Sequence, residues 1–290
     1  MILAINYSDD RYKIAQKFNS KSALKYGADK VREYGPADID EDFKKRNADI
    51  FSYERGGGYW IWKSYILRDA LARVNDGDYV IYTDAGSAFV NKIQYLINAM
   101  NKEKTDIMVF QIDQLEKNYS KRDAFILLEC DQKDYVESYQ RCGGYIVLKK
   151  SKRSVDFVNN YLEYSQDKRI ITNQPNELGK DNYPGFVENR HDQTILSLLS
   201  KKWGIDAFRD PSEYGLEQCC DVKIFSEEVL SRSTYPQIIE SHRNPYLKHW
   251  YQLNYKKWYR WFDKERSPVI KGLCSIKTKL KKFLRKTFSL

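Results

Sequence analysis

The chain has 290 residues, of which 42% are hydrophobic and 31% charged, a balance that suits a globular protein with a substantial core and excludes a disordered or fibrous one. The formal net charge of +9 is unevenly placed: residues 241–290 hold 14 Lys or Arg against two acidic residues, so the first 240 residues are net −3. No stretch reaches the length of a membrane span, and the body of the chain is not basic; its end is.

In chain order, "MILAINY" is a short apolar run ending in Asn6 and Tyr7 and is read as the first strand. It lacks the cationic start and long apolar stretch of a secretory signal, which leads us to expect a cytosolic chain. Residues 10–34 read as helical, and "ADIFSYE" as a second strand. "GGGYWIWKSYILRDALARV" reads as a glycine turn feeding a helix, with Ile61, Tyr65, Leu67, Leu71 and Val74 available for burial. After the turn "NDGD", the run Tyr79–Val80–Ile81–Tyr82–Thr83 has the content of a buried strand and leads directly into Asp84, Ala85, Gly86 and Ser87.

A carboxylate at the carboxyl end of such a strand stands where open α/β sheets bind ligands. The plainer alternative for Asp84 is a turn or helix cap. "TDIMVFQID" and "GGYIVLKKS" are further strands, and "HDQTILSLLSKKWG" is a helix closed by Gly204. The alternation predicts an α/β fold with a mainly parallel sheet flanked by helices. The five cysteines, Cys130, Cys142, Cys219, Cys220 and Cys274, show no CxxC spacing, and the three histidines complete no zinc pattern, so free thiols in a reducing compartment are the simplest account.

The end of the chain is distinct. "HWYQLNYKKWYRWFDKER" interleaves aromatic rings with cations. From Pro268 onward, Val269, Ile270, Leu273, Ile276, Leu280, Phe283, Leu284 and Phe288 recur at helical spacing among lysines. Residues 268–290 are therefore expected to form a basic amphipathic helix on an anionic membrane surface. A helix packed on the body with a solvated cationic face is the alternative. Single-stranded nucleic acid also suits aromatic and basic interleaving, but no nucleic-acid motif appears elsewhere, and it is not favoured.

Four pieces of the sequence, in order, resemble the GT-A nucleotide-sugar glycosyltransferases, and within them the retaining galactosyltransferase and glycogenin-like group. "YTDAGS" stands where that family carries an Asp-x-Asp metal signature, with Gly86 in place of the second Asp. "CGGYIVLKKS" resembles its Asn-Ala-Gly strand, with Cys142 for Asn. "RHDQTILSLL" resembles its Asp-Gln helix. "SHRNPYLKHW" resembles its His-x-x-Gly-x-x-Lys-Pro-Trp motif, keeping His242, Lys248 and Trp250 but with Pro245 for Gly and His249 for Pro.

The resemblance spans roughly residues 1–250 and implies a GT-A-like domain followed by a membrane-associating tail at 251–290. It implies that Asp84 and His242 hold a divalent ion, Mn or Mg, and that Lys248 contacts the donor's diphosphate. It implies that Ile5, Asn6 and Tyr7 meet the nucleotide, and that Lys63 approaches the phosphate or the donor sugar. Asp192 and Gln193 would lie beside the hexose as the catalytic pair. A divalent ion and a lysine would stabilise the negative charge that develops on the departing phosphate.

An inverting reaction would need a carboxylate base, for which Asp123 and Glu137 are available. The expected activity is hexosyl transfer from a nucleotide-diphosphate sugar, a UDP-sugar, to a lipid-linked or surface-polysaccharide glycan. The expected location is peripheral, at the cytoplasmic inner face of the cell membrane. A non-catalytic sugar- or nucleotide-binding relative, in which Gly86 marks a lost metal site, is the alternative.

Overall fold

The computed structural model describes residues 1–215 and 224–247. Its strands are β1 (Ile2–Tyr7), β2 (Lys30–Tyr34), β3 (Tyr79–Thr83), β4 (Ala88–Phe89), β5 (Ile107–Leu115), β6 (Tyr139–Arg141), β7 (Tyr145–Lys149), β8 (Ala207–Arg209) and β9 (Ile239–Glu240). The longer helices are α1 (Lys13–Lys25), α2 (Trp62–Ala72), α3 (Gln94–Lys102), α4 (Lys152–Ser165) and α5 (Asp192–Lys202). Lys248, Trp250 and the expected helix at 268–290 lie outside the described residues, and among these no helix is long and apolar enough to cross a membrane.

Seven strands form one sheet in the order β2-β1-β3-β7-β5-β6, with β8 paired to β5. The β1–β2, β1–β3 and β5–β8 ladders are parallel, while β7 runs antiparallel to both β3 and β5. β6 is antiparallel to β5. Five strands therefore point one way, and β7 and β6 oppose them, as a mainly parallel α/β sheet requires.

The pleat explains the apolar runs. Leu3, Ile5, Val80, Tyr82, Ile107, Val109, Ile146 and Leu148 project to one face and pack with residues of α2, α4 and α5. Ala4, Ile81, Met108, Phe110, Tyr145 and Val147 project to the other and pack with α3 and the β4–β9 pair. Both faces are covered, so the central strands are apolar at nearly every position rather than alternating.

Two expected elements differ. Residues 10–34 are not one helix: α1 ends at Lys25, Gly27 turns the chain at φ 108°, and Lys30–Tyr34 forms the edge strand β2. As an edge strand it is exposed at Lys30 and only half-buried at Val31, Arg32 and Glu33, which leaves it polar and without a strand-like period. "ADIFSYE" is not a strand; Ala48–Phe51 is a helical turn that buries Ile50. Helix α4 went unread from the sequence although Ser151 and Ser154 cap it reciprocally, at 3.2 and 3.0 Å.

Candidate active site

Three chain segments meet beyond the carboxyl end of β3. The first is Asp84 itself, which follows Thr83, the last residue of β3. The second is the Gly143–Gly144 pair that opens β7; Thr83 pairs with Tyr145, so the pair lies beside Asp84, whose N–H donates to the Gly144 carbonyl at 3.0 Å. A Cβ at Gly144 would stand 3.2 Å from Asp84 Oδ2, and one at Gly143 would stand 2.9 Å from Gln193 Cβ and 3.3 Å from Asp192 Oδ2. Both positions are small because acidic side chains occupy the space. The third segment is the start of α5, which supplies Asp192 and Gln193.

Lys63, on the first turn of α2, joins them. Its Nζ donates to Asp192 Oδ2 at 2.5 Å and to the Gly143 carbonyl at 2.8 Å, and lies 3.7 Å from Asp84 Oδ1. The Lys63 and Asp192 side chains are 5% and 6% exposed, whereas Asp84 is 50% exposed and forms the open side of the cluster. The Tyr82 hydroxyl donates to Asp84 Oδ1 at 2.6 Å, and the Tyr161 hydroxyl to the Asp192 carbonyl at 3.1 Å. Burial works against the charge on Lys63, but Asp192 and Asp84 outweigh it and hold its pKa above the usual lysine value. Burial raises Asp192 to about 6, against the opposing pull of Lys63. The cluster thus sets one amino group, Lys63, between two carboxyl groups, Asp192 and Asp84.

The approach to Lys63 is unusual. Gly56, Gly57, Gly58, Tyr59 and Trp60 all have positive φ, from 51° to 87°, forming a single left-handed turn closed by Tyr59 N–H to Arg55 O at 2.8 Å. Glycine accepts this conformation, but Tyr59 and Trp60 are strained there. Tyr59 is held by stacking on His191, with ring centroids 4.5 Å apart, and His191 itself has φ 57° and immediately precedes Asp192. The His191 Nδ1 lies 2.7 Å from the Ile171 carbonyl, and burial lowers its pKa to about 4. Strained residues thus flank both partners of the buried ion pair.

Lys63, Asp84, Asp192 and Gln193, expected from the sequence to serve one site, are in one cluster. Gln193 is engaged with the protein: its Oε1 accepts from Gly143 N–H at 3.0 Å, and its Nε2 donates to Gln140 at 2.7 Å and Gln114 at 3.1 Å. Gln140 in turn donates to Glu116, whose fully buried carboxylate also accepts from Lys201 at 2.6 Å. This network was not legible in the sequence.

Of the expected nucleotide contacts, only Tyr7 is partly exposed, and it stacks on Trp62 at 3.7 Å. Ile5 lies in the core, its backbone paired to β2 and β3, and Asn6 donates to Asn19 and Ser20 at 2.8 and 3.1 Å. Strand alternation turns the side chains of these two into the two buried faces. Asp123 and Glu137 are committed elsewhere: Asp123 accepts Glu177 and Leu178 N–H at 2.7 and 3.3 Å, and Glu137 pairs with Lys117 at 2.7 Å. The thiol of Cys142 is raised by burial, and that of Cys130 is pushed up to about 12, so neither is a nucleophile.

The residues do not fit the expected divalent-metal centre on Asp84 and His242. Among the described residues no three His, Cys, Asp or Glu side chains come together as ligands. His242 Nδ1 accepts the Asn244 N–H at 3.0 Å, so that nitrogen is engaged within the protein rather than turned to a metal. A second carboxylate at position 86 would be crowded: a Cβ at Gly86 would stand 3.3 Å from both Arg243 Cα and a Tyr12 ring carbon.

A polar cluster beyond the carboxyl ends of parallel strands in an α/β sheet defines a ligand-binding class of fold. No family model matches the sequence, and no curated protein matches it. Among solved structures, the galactosyltransferase LgtC with donor and acceptor sugar analogs aligns over 83% of this chain and 86% of that one, at 14% identity and a TM-score of 0.46. Mouse xyloside xylosyltransferase 1 aligns over 83% and 96%, at 9% identity and 0.40. The bifunctional glycosyltransferase WbbM aligns over 82% and 45%, at 12% identity and 0.44.

Proposed function

We propose that this chain is a glycosyltransferase that moves a hexose from a nucleotide-diphosphate sugar, a UDP-sugar, to a lipid-linked or surface-polysaccharide acceptor. The observation that supports this reading is the buried Lys63 shared by Asp192 and Asp84 at the carboxyl edge of the sheet. Asp192 is fixed by Lys63 and offers carboxylate oxygen to hexose hydroxyls. Asp84 stands at the open side, between the buried pair and the incoming donor. Lys63 keeps the two carboxylates from repelling each other.

With Asp192 paired to Lys63 and given to the hexose hydroxyls, Asp84 turned to the donor, and Asp123 and Glu137 bonded elsewhere, the acceptor proton passes to the departing phosphate. Attack then comes from the face the phosphate leaves, and configuration is retained. The tail, residues 268–290, would carry the enzyme to the cytoplasmic face of the membrane, where a lipid-linked acceptor lies. Deleting it should abolish liposome binding while leaving hydrolysis of the donor unchanged; unchanged liposome binding would refute that role.

The deciding experiment is binding and hydrolysis of a panel of sugar nucleotides by the native protein and by Asp84→Ala. Turnover of one UDP-sugar, lost in the variant, supports the reading. Binding without turnover in the native protein, even with acceptor glycans supplied, would reassign the chain to a sugar-nucleotide-binding role.

A further inference from the structure

The charge of the candidate site poses a problem for the donor it is proposed to take. A nucleotide diphosphate brings about two negative charges to a cluster in which one lysine is already shared by two aspartates. A bound divalent ion would ordinarily solve this, but the residues around Asp84 do not fit one. What fills the place of the second signature carboxylate is the segment that carries Arg243.

Arg243 N–H donates to the Gly86 carbonyl at 2.8 Å, and its Cα occupies the space beside Gly86. Its φ of 51° is a left-handed conformation that a side-chain-bearing residue adopts only under constraint. The segment is anchored on its other side too, since Ala15 N–H of α1 donates to the Pro245 carbonyl at 3.2 Å. The Arg243 side chain is exposed, with its guanidinium 5.9 Å from the Tyr214 ring centroid, and makes no ion pair among the described residues. The Tyr12 ring completes the packing on Gly86, and the exposed Arg11 guanidinium lies 5.8 Å from that ring, also without an ion pair among the described residues. Two arginines are thus carried by the segments that pack on Gly86, two residues past Asp84.

We propose that Arg243, assisted by Arg11, binds the diphosphate of the donor and takes the role of a divalent ion there. The inference rests on the glycosyltransferase reading and deepens it. A guanidinium suits the task because it presents two parallel N–H donors to phosphate oxygens and keeps its charge as the phosphate departs. The strained backbone fixes where that fork emerges relative to Asp84.

The test is calorimetric titration of the full chain with UDP and a panel of UDP-hexoses, in EDTA and again with Mn. Binding in EDTA, changed less than twofold by Mn, is the expected result. Arg243→Gln should weaken it by about tenfold or more, the loss of a charge-assisted contact, and Arg243→Lys should restore part of it. Arg243→Gly removes the cation while easing the left-handed backbone; equal weakening there, with a melting temperature no lower than the native protein's, assigns the effect to charge rather than to folding. Native-strength binding by the Gln and Gly variants, or binding that appears only with Mn, overturns the inference and leaves the glycosyltransferase reading standing. A protein that binds no sugar nucleotide in either buffer overturns that reading, and the inference falls with it.

Discussion

Lys63 and Asp192, 129 residues apart in the chain, are joined by a 2.5 Å charge-assisted hydrogen bond in the interior. A buried pair of this kind is sensitive to the loss of one partner, because the other is left charged and unsolvated. Lys63→Met should therefore cost about 3–5 kcal/mol of stability in denaturant titration, and it should abolish turnover. Lys63→Met combined with Asp192→Asn should recover much of the stability and none of the activity. Full activity in Lys63→Met would separate the pair from the reaction.

The acid side of the pH profile should belong to Asp192. With its pKa raised to about 6 by burial, the rate should fall as pH drops through about 6, and Asp192→Asn should be slow at every pH without that inflection. The stability effect has the opposite sign. Between the ordinary aspartate value and about 6 the folded state holds a proton that the unfolded chain has released, so this group's contribution declines as pH rises across that window. Melting curves from pH 4 to 7 on the native protein and on Asp192→Asn would read the difference.

Gly143 and Gly77 make a matched test of space against backbone freedom. A Cβ at Gly143 would press on Gln193 and Asp192, whereas one at Gly77 meets nothing within 4 Å, although Gly77 has φ 85°. Gly143→Ala should lower turnover at least as strongly as it lowers stability, which overpacking reduces by about 1–3 kcal/mol. Gly77→Ala should cost about 1–2 kcal/mol from its left-handed backbone and leave turnover per folded molecule unchanged.

Glu116 and Lys201 form a second buried pair behind Gln193. Lys201→Met strands a fully buried carboxylate and should cost about 3–5 kcal/mol, while the double variant Glu116→Gln with Lys201→Met should cost markedly less. A double-mutant cycle in denaturant measures the coupling. If the two changes simply add, the pair contributes nothing specific.

The parts of the site that were legible in the sequence sit at junctions. Asp84 follows an unbroken apolar run, Lys63 follows a glycine turn at the start of a periodic segment, and Asp192 and Gln193 open another; each position is marked by a change of pattern. Gln114, Glu116 and Gln140 went unread because a polar residue inside or beside a strand reads as solvent-facing, and only the fold shows that these point into a shared interior. Asn6 is the reverse case: a polar residue at a strand end suggests a ligand, and its side chain is bonded to Asn19 and Ser20 of α1. Arg243 was invisible because what singles it out is a backbone angle and a neighbour 157 positions away. The α/β alternation was legible because both faces of the sheet are covered, whereas β2 was lost because an edge strand is free to be polar.

The left-handed turn at Gly56–Trp60 bears on the order in which the protein assembles. Two residues in it, Tyr59 and Trp60, each oppose that conformation by about 1–2 kcal/mol, so the turn has no local tendency to form. Part of what offsets that cost is the stacking of Tyr59 on His191, a contact that requires the start of α5 to have docked. Lys63 is therefore expected to reach its place late, after the start of α5. Amide exchange should show Tyr59 and Trp60 opening together with Asp192 and Gln193 rather than with β1 or β3. The chemistry would then be withheld from every incomplete form of the chain, including one still being synthesised.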